Sequence, residues 1–502
     1  MLFAEKPNGE RTRCVLMKRL VNSKYIQIKN RGRKNWLKRT PPKICLYCAR
    51  YDYEPLTIAP LGIGYIASYL VQQGIVSQEQ ICIVDTLDEA IEFKPDILGV
   101  SSVSQVIQDG RDFTKKCKEK TGCLTVLGGY HVTAVPQNLP EEFDIGVLSE
   151  GEITFAEIVN FFKLNKLTVT LGQIKGICYR KNGEIIINEP RGLIEDLDSL
   201  PLPYRHKEYS QEIPIFTSRG CQYRCIFCAS KGFWMNRYRL RSADSVISEI
   251  VHLVNKYRTK RITINVLDDL WIANKKRFRE IVEKLVALKI PDKTDFMGFC
   301  RSNVIYEEDI KLLKQLNYRC VRFGAETGSE VLLKRLKGDN ISIADHQRVI
   351  DLCQKYKMPC RASFMFGVPG ETMEDLEATI TFLRKNKGKL EIGGFYFFNP
   401  IPGTEIWEEM KGNGMIPDTF KLENLTQLDF NKDIFSWDDI LYFNEENVSL
   451  EEFRELIHKI KAEFIYDTFR KKAKLTVKKY LPKKFMTYVK RLISIKSRMS
   501  IG

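Results

Sequence analysis

Histidine is scarce in this chain, with five in 502 residues. His131, His206, His252, His346 and His458 stand far apart, and no two form the closely spaced pair of a zinc knuckle. Long apolar runs are missing as well. Stretches such as DILGVSSV and IVEKLVALKI are too short or too interrupted to span a bilayer. The opening MLFAEKPNGERTR has no continuous apolar stretch of the kind a secretory signal carries. The 14 cysteines, scattered through a chain of this kind, do not read as a disulfide framework. A reducing, cytoplasmic location is therefore expected.

Acidic residues are absent from 470–499, which carry twelve Lys and Arg, while residues 1–42 carry twelve against Glu5 and Glu10. Of the net charge of +16, these ends contribute +12 and +10, so the body between them is acidic at −6. The basic tail interleaves Leu475, Tyr480, Phe485, Tyr488 and Leu492 with its cations and reads as an amphipathic helix interrupted at Pro482. An anionic membrane surface would suit it, giving a peripheral location, and so would packing against the body. RNA fits less well, because no nucleic-acid recognition module is evident.

What the chain does have is the run SRGCQYRCIFCAS. Cys221, Cys225 and Cys228 are spaced C-x3-C-x2-C with no fourth cysteine nearby. Three thiolates this close can hold three irons of a [4Fe-4S] cluster and leave one iron open to a ligand that is not protein. Structural zinc would need a fourth Cys or His. Cys45 and Cys48 form C-x2-C but fall within a strand pattern, where alternating faces separate them, and read as buried structural thiols. Cys300, Cys320 and Cys360 occupy separate strands, so one cluster is expected.

A chain of this length asks for two or three domains. After a basic arm (1–42), residues 43–165 alternate short apolar strands (KICLYC, QICIVD, DILGVSS, LTVLGG, IGVLSE) with amphipathic helical stretches. This is the pattern of a doubly wound, Rossmann-like α/β domain, which binds ligands beyond the carboxyl ends of its strands. Those ends carry Asp85, Ser101–Gln105, Gly128–His131 and Glu150–Glu152. Residues 166–212 hold a hairpin signature around Asn182–Gly183 and then a proline-rich linker. From 213 to 410, six further βα units with the cysteine loop after the first strand predict a (β/α)6 partial TIM barrel. Residues 411–469 read as mostly helical, ahead of the tail at 470–502.

The motif C-x3-C-x-aromatic-C, completed by Phe227, and the segments VLDDLWIANKKR, CRSNV, RFGAETGS, FMFGVPGET and NPIPGTE at later strand ends resemble radical S-adenosylmethionine (SAM) enzymes. The segments GGYHVTAVP, SEGEITFAEIV and APLGIGYIASYL resemble the subfamily with an N-terminal cobalamin-binding-type domain. The resemblance spans roughly residues 43–410. It implies that Cys221, Cys225 and Cys228 hold the cluster and that Phe227, Asp268, Asp269, Arg301, Glu326, Gly367 and Gly370 surround SAM. Carboxylates at strand ends can hold a ribose or an ammonium, and an arginine can pair with a carboxylate. Taken singly, the aspartates can cap a helix, Arg301 can serve a salt bridge and GVPGE is a turn; their succession after the cluster motif favours the cofactor.

For cobalamin the resemblance points to Ser101, Ser102, Gly128, Gly129, His131, Glu150, Gly151 and Glu152. A buried structural role stays open for His131. The D-x-H-x-x-G motif that supplies an axial histidine is absent, as is common in this subfamily, and Ser149 stands where the family usually has glycine. The activity implied is reductive SAM cleavage to a 5′-deoxyadenosyl radical, serving cobalamin-dependent methylation of an unactivated carbon on a small-molecule or lipid substrate. An external flavodoxin- or ferredoxin-type donor would supply electrons. A radical cyclase, oxidoreductase or rearrangement enzyme without methyl transfer is the alternative.

Overall fold

The computed structural model describes residues 41–50, 58–163, 170–207, 212–258, 260–425, 437 and 440–466. The basic arm up to residue 40, residues 51–57 of the first strand-end loop and the basic tail lie outside the described residues. No helix among those described is long and apolar enough to cross a membrane.

Two sheets organise the chain. The first contains β1 (Ile44–Cys48), β2 (Ile81–Val84), β3 (Ile97–Ser101), β4 (Leu124–Gly128), β5 (Ile145–Val147), β6 (Ile177–Lys181) and β7 (Glu184–Ile187), in the order β2-β1-β3-β4-β5-β6-β7. β1 to β5 run parallel, and their residues are apolar in both directions because helices cover both faces. Ile44 and Leu46 pack toward helices 61–72 and 152–163, while Cys45 and Tyr47 pack toward helices 87–93 and 107–121. Cys45 and Cys48, three residues apart, accordingly lie on opposite faces. The expected hairpin turns at Asn182 and Gly183, both at positive φ, but it does not stand apart. β6 pairs antiparallel with β5, so the hairpin extends the sheet and covers an otherwise bare edge.

The second sheet contains β8 (Glu212–Ile215), then, after the short ribbon of β9 (Ser218–Arg219) and β10 (Arg239–Leu240), β11 (Ile262–Val266), β12 (Thr294–Cys300), β13 (Val321–Glu326), β14 (Cys360–Phe366) and β15 (Glu391–Phe397). The six long strands are parallel in sequential order, β8-β11-β12-β13-β14-β15, and form an open barrel wall with helices outside. Ser242, Asn274, Ser329, Ser342, Thr372 and Thr404 cap those helices, each side chain accepting a backbone N–H of the first turn. The C-terminal region is less helical than expected. Between Asn413 and Ser449 the described residues hold no α-helix, because Gly414 and Pro417 break the periodicity after helix 405–412. The amphipathic helix 450–460 then buries Phe453, Leu456, Ile457 and Ile460 against the barrel core.

The two halves are joined by buried charge. Arg219 and Arg239 face each other directly across the β9–β10 ribbon, an arrangement that would repel on its own. Glu150, from the first half, sits between them: Arg219 Nη1 donates to its Oε1 at 2.6 Å and Arg239 Nη1 to its Oε2 at 2.8 Å. Arg219 Nη2 donates to Glu152 at 2.6 Å, and the Ile194 N–H donates to Glu150 at 2.7 Å. All four side chains are buried and their charges balance. Arg219→Ala would strand the buried Glu152 carboxylate without its cation and leave Glu150 to Arg239 alone, and we expect it to lower stability by about 3–5 kcal/mol. A denaturant midpoint equal to that of the parent would contradict this.

His131 makes a second prediction. It is buried at the start of helix 130–134, with Nδ1 3.0 Å from Ser104 Oγ, and burial, then the nearby Arg111 charge, lowers its pKa from 6.5 to about 4. The unfolded chain therefore binds the extra proton first. The stabilising contribution is complete above pH 6.5 and is lost as pH falls toward 4, with a slope of up to about 1.4 kcal/mol per pH unit. His131→Gln should remove that component from a stability–pH profile; an unchanged acid limb would refute it.

Candidate functional site

A cavity of about 470 Å³ lies between the carboxyl ends of the first sheet and the mouth of the barrel. On the first side it is lined by Leu46 of β1, Gly99–Ser101 of β3, Gly128–Gly129 at the end of β4 and Ser149–Glu152 after β5. On the barrel side it meets Arg219, Phe233, Trp234 and Asp269. β1 and β3 flank the point where the strand order of the first sheet reverses, the position at which doubly wound sheets bind ligands.

The residues expected at cobalamin divide. Ser101, Gly128, Gly129, Glu150, Gly151 and Glu152 line the cavity. Gly129 has φ +97°, and a Cβ there would sit 2.6 Å from the Ser102 carbonyl oxygen, so bare backbone is obligatory at this point of the wall. Ser102 is turned away, its hydroxyl donating to the Val103 carbonyl at 2.8 Å, and His131 is buried behind the wall against Ser104. No histidine of the described residues lines the cavity. Glu150 and Glu152 border it with carboxylates already engaged by Arg219 and Arg239. Apolar Leu46, Ile63 and Phe155, exposed backbone at the glycines and the Ser101 hydroxyl suit a large ring system with polar edges, so the wall fits a corrin bound without histidine.

The cysteine loop begins at Gly220, whose φ is +83° and where a Cβ would stand 2.1 Å from the Arg237 carbonyl oxygen. Burial raises the Cys221 thiol and pushes Cys228 up to about 12. Uncompensated thiolates are thus disfavoured at these two positions, and bound iron would supply the compensating charge. Among the described residues no three ligating groups converge on one point as they would around a single ion. A [4Fe-4S] cluster asks each cysteine for a different iron, so its three thiols need not meet at one point.

The residues expected at SAM also divide. Phe227, inside the cysteine loop between Cys225 and Cys228, packs against the hydrophobic cluster that contains Leu336, Val368 and Ile406. Asp268 points into the barrel wall, where it accepts from the Thr217 N–H at 2.7 Å and from the Thr217 and Ser218 hydroxyls. Its neighbour Asp269 points the other way, into the cavity, and burial with the adjacent Asp268 charge raises its pKa to about 6. Arg301 donates to Cys225 Sγ at 3.1 Å, stacks 4.0 Å over Tyr223 and is fixed by the Lys337 carbonyl and Asn340. Glu326, at φ +66°, is held by Lys337 at 2.9 Å. Gly367 and Gly370 bound a turn at positive φ, with the Gly367 N–H donating to Glu371 at 2.7 Å.

Sequence reasoning did not single out Arg219, Arg239, Phe233 or Trp234, and placed Tyr130 only within the strand-end segment Gly128–His131. Trp234 Nε1 donates to the Tyr130 hydroxyl at 3.1 Å, and Phe233 stacks on Tyr130 at 4.3 Å, closing the cavity from the barrel side. The aromatic pair just after the cysteine loop, in KGFWM, was the available signal.

The comparisons with known proteins agree with this division of labour. A family model described as Radical SAM superfamily matches residues 215–383, and one described as B12 binding domain matches residues 54–159. An uncharacterized methyltransferase of Pyrococcus horikoshii is 30% identical over 377 residues, covering 71% of this chain and 79% of the relative. An anaerobic magnesium-protoporphyrin IX monomethyl ester cyclase of Cereibacter sphaeroides is 25% identical over 67% of this chain and 56% of its own length. Among solved structures, the radical S-adenosylmethionine methyltransferase TsrM of Kitasatospora setae superposes with a TM-score of 0.66 at 16% identity, over 84% of this chain and 88% of that one. The cobalamin-dependent radical enzyme OxsB gives a TM-score of 0.66 at 15% identity, over 92% and 72%. A thiol triad at the mouth of a partial barrel, facing a strand-end cavity of a doubly wound domain, and these matches establish that the chain belongs to the radical SAM superfamily, in the group that carries a B12-binding domain before the barrel.

Proposed function

We propose that this enzyme is a cobalamin-dependent radical SAM methyltransferase that acts on an unactivated carbon of a small-molecule substrate. The observation that carries this reading is the shared cavity: Ser101, Gly128 and Gly129 form one wall, Trp234 and Asp269 form the other, and the cysteine loop starts at the edge of the second wall. When bound, the reduced cluster with SAM on its open iron supplies a 5′-deoxyadenosyl radical, and the corrin supplies a methyl group. The protein's part is to place both at one chamber and keep water out.

Cys221, Cys225 and Cys228 hold the cluster in this reading, Phe227 and the Gly367–Gly370 turn border SAM, and the glycine-lined wall seats the corrin. Arg301 braces the cysteine loop through Cys225, Lys337 and Asn340, and its buried Nε, which has no partner among the described residues, is a donor left over for a ligand. Asp268 braces the barrel, which leaves Asp269 as the carboxylate facing the cofactors. Electrons come from an external flavodoxin- or ferredoxin-type donor. Methyl transfer is supported by the Pyrococcus relative and by the cytidylyl-2-hydroxyethylphosphonate methyltransferase of Streptomyces wedmorensis, 24% identical over 75% of this chain and 82% of that one. The cyclase relatives favour, as a second reading, radical chemistry on the same cofactors without methyl transfer.

Anaerobic reconstitution with iron, sulfide and hydroxocobalamin should give the absorption of both a cluster and a bound corrin. Cys225→Ala should lose the cluster bands and SAM cleavage yet keep the corrin. A parent protein that takes up no corrin would overturn the reading. Methylated product with S-adenosylhomocysteine selects the first reaction, and deoxyadenosine without methylation selects the second.

A further inference from the structure

The barrel lumen contains a cation that nothing among the described residues neutralises. Along β12 and β13 the side chains alternate. Phe296 and Phe323 belong to the core under the helices, with Phe323 stacked on His346 of helix 343–355. Met297, Phe299 and Arg322 therefore face the other way, into the barrel. Phe299 and Arg322 are direct partners across the two strands, and the Arg322 guanidinium lies 4.5 Å over the Phe299 ring. That ring is 49% exposed, although it sits on an inner strand of the sheet.

Other arginines on these strands and their connections are paired: Arg261 and Arg319 with Asp295, and Arg361 with Glu391. Arg322 has no carboxylate partner among the described residues. Its one hydrogen bond runs from Nε to the Gly298 carbonyl at 3.4 Å, which leaves the fork of its two terminal nitrogens free. A second unsatisfied group lies on the same inner face. Asn265 of β11 pairs in register with Met297, is 4% exposed, and its Oδ1 has no hydrogen-bond partner. A charge fork stacked on a half-exposed aromatic ring, with a buried and unpartnered amide oxygen two strands away on the same inner face, is a binding surface for a molecule with an acidic end and an apolar body. The location is suitable. Phe299 precedes by two residues the Arg301 that touches Cys225, a rise of about 7 Å along an extended strand.

We propose that Arg322 anchors an anionic substrate, a carboxylate or phosphate on an apolar body, in the barrel lumen, with the Phe299 ring as its platform. This rests on reading the barrel as the substrate chamber of the enzyme proposed above. The Asn265 amide oxygen, an acceptor, would take a hydroxyl or N–H of the same molecule, which makes the substrate a polyfunctional acid and not a simple fatty chain.

Binding of 2-naphthoate, 2-naphthyl phosphate and the neutral 2-naphthamide to the full reconstituted chain, measured by calorimetry, tests this. The parent protein should bind an acid at least tenfold more tightly than the amide. Arg322→Gln should weaken acid binding by about ten- to a hundredfold and abolish the preference, the size of a lost charge-assisted bond. Arg322→Lys, which keeps the charge and the fold but not the fork, should retain a preference for acids at reduced affinity. Phe299→Leu should weaken all three probes alike. Tighter binding of the naphthoate or of the naphthyl phosphate tells a carboxylate substrate from a phosphate one. Failure of both acids to bind the parent, equal binding of acid and amide, or an affinity that Arg322→Gln and Arg322→Lys leave unchanged would each overturn the proposal. Reductive SAM cleavage without probe, measured alongside on the parent, reports on the proposed function separately: acid binding without SAM cleavage would sink that function and leave the anion site standing.

Discussion

Glu150 is the constraint on which the rest depends. It belongs to the first half of the chain, yet its two oxygens are taken by Arg219 and Arg239, which flank the cysteine loop in the second half. Without that carboxylate only Glu152 would balance the two guanidiniums that face each other across β9 and β10, and the stem of the loop would be pushed apart. With it, the stem is fixed relative to the strand ends of the other sheet. The separation between the cluster loop and the cavity wall is therefore set by one buried ion network rather than by a flexible linker. Ser149, at φ +61° just before Glu150, adds a direct tie by donating to the Phe233 carbonyl at 2.8 Å. A radical enzyme that must keep two large cofactors in register gains from such a stiff joint.

The charged groups at the barrel mouth mostly hold the architecture before they meet any ligand. Asp268 gathers Thr217 and Ser218, Arg301 braces Cys225, and Lys337 folds Glu326 back over Gly324. Each is deeply buried, where an unpaired charge would be costly, so each is matched locally. What remains for cofactors is a short list: the three thiols, Asp269, bare backbone at glycines, and aromatic faces. Such a chamber suits radical chemistry, since few groups in it carry exchangeable protons or unpaired charge toward the reacting centre.

Much of this was legible in the sequence because it is local. The cysteine triad, the short apolar strands and the Asn182–Gly183 turn each depend on residues within a few positions of one another. Two of the expected site residues that do not line the cavity, Ser102 and Asp268, share one physical cause. Ser101–Ser102 and Asp268–Asp269 were each read as a pair of ligands, but adjacent residues of an extended segment point to opposite sides. One member of each pair lines the cavity and the other turns into the wall. Arg219 and Arg239 escaped notice for the opposite reason. Their partner lies 69 and 89 residues away, and neither arginine sits in a pattern that announces it. The hairpin was visible as a hairpin, but its union with β5 follows from the need to cover a sheet edge, which no short window displays.

The C-terminal region carries the least recognisable sequence, yet it completes the barrel mouth. Asn444 is buried and spans the GVPGE turn: its Oδ1 accepts from the Gly370 N–H at 2.8 Å and its Nδ2 donates to the Glu371 carbonyl at 2.7 Å. The Glu371 side chain, raised to about 8 by burial, is kept inside the turn by the Gly367 N–H. Tyr442 and Phe453 stack at 4.7 Å above Gly367, where a Cβ would press on both rings. A turn of two positive-φ glycines has little rigidity of its own, because glycine loses the most conformational freedom on ordering. The amide of Asn444 supplies that rigidity from 74 residues away. The C-terminal segment is thus part of the wall on which the turn depends, and variation in it can reshape the chamber while the cysteine loop and the ion network stay as they are.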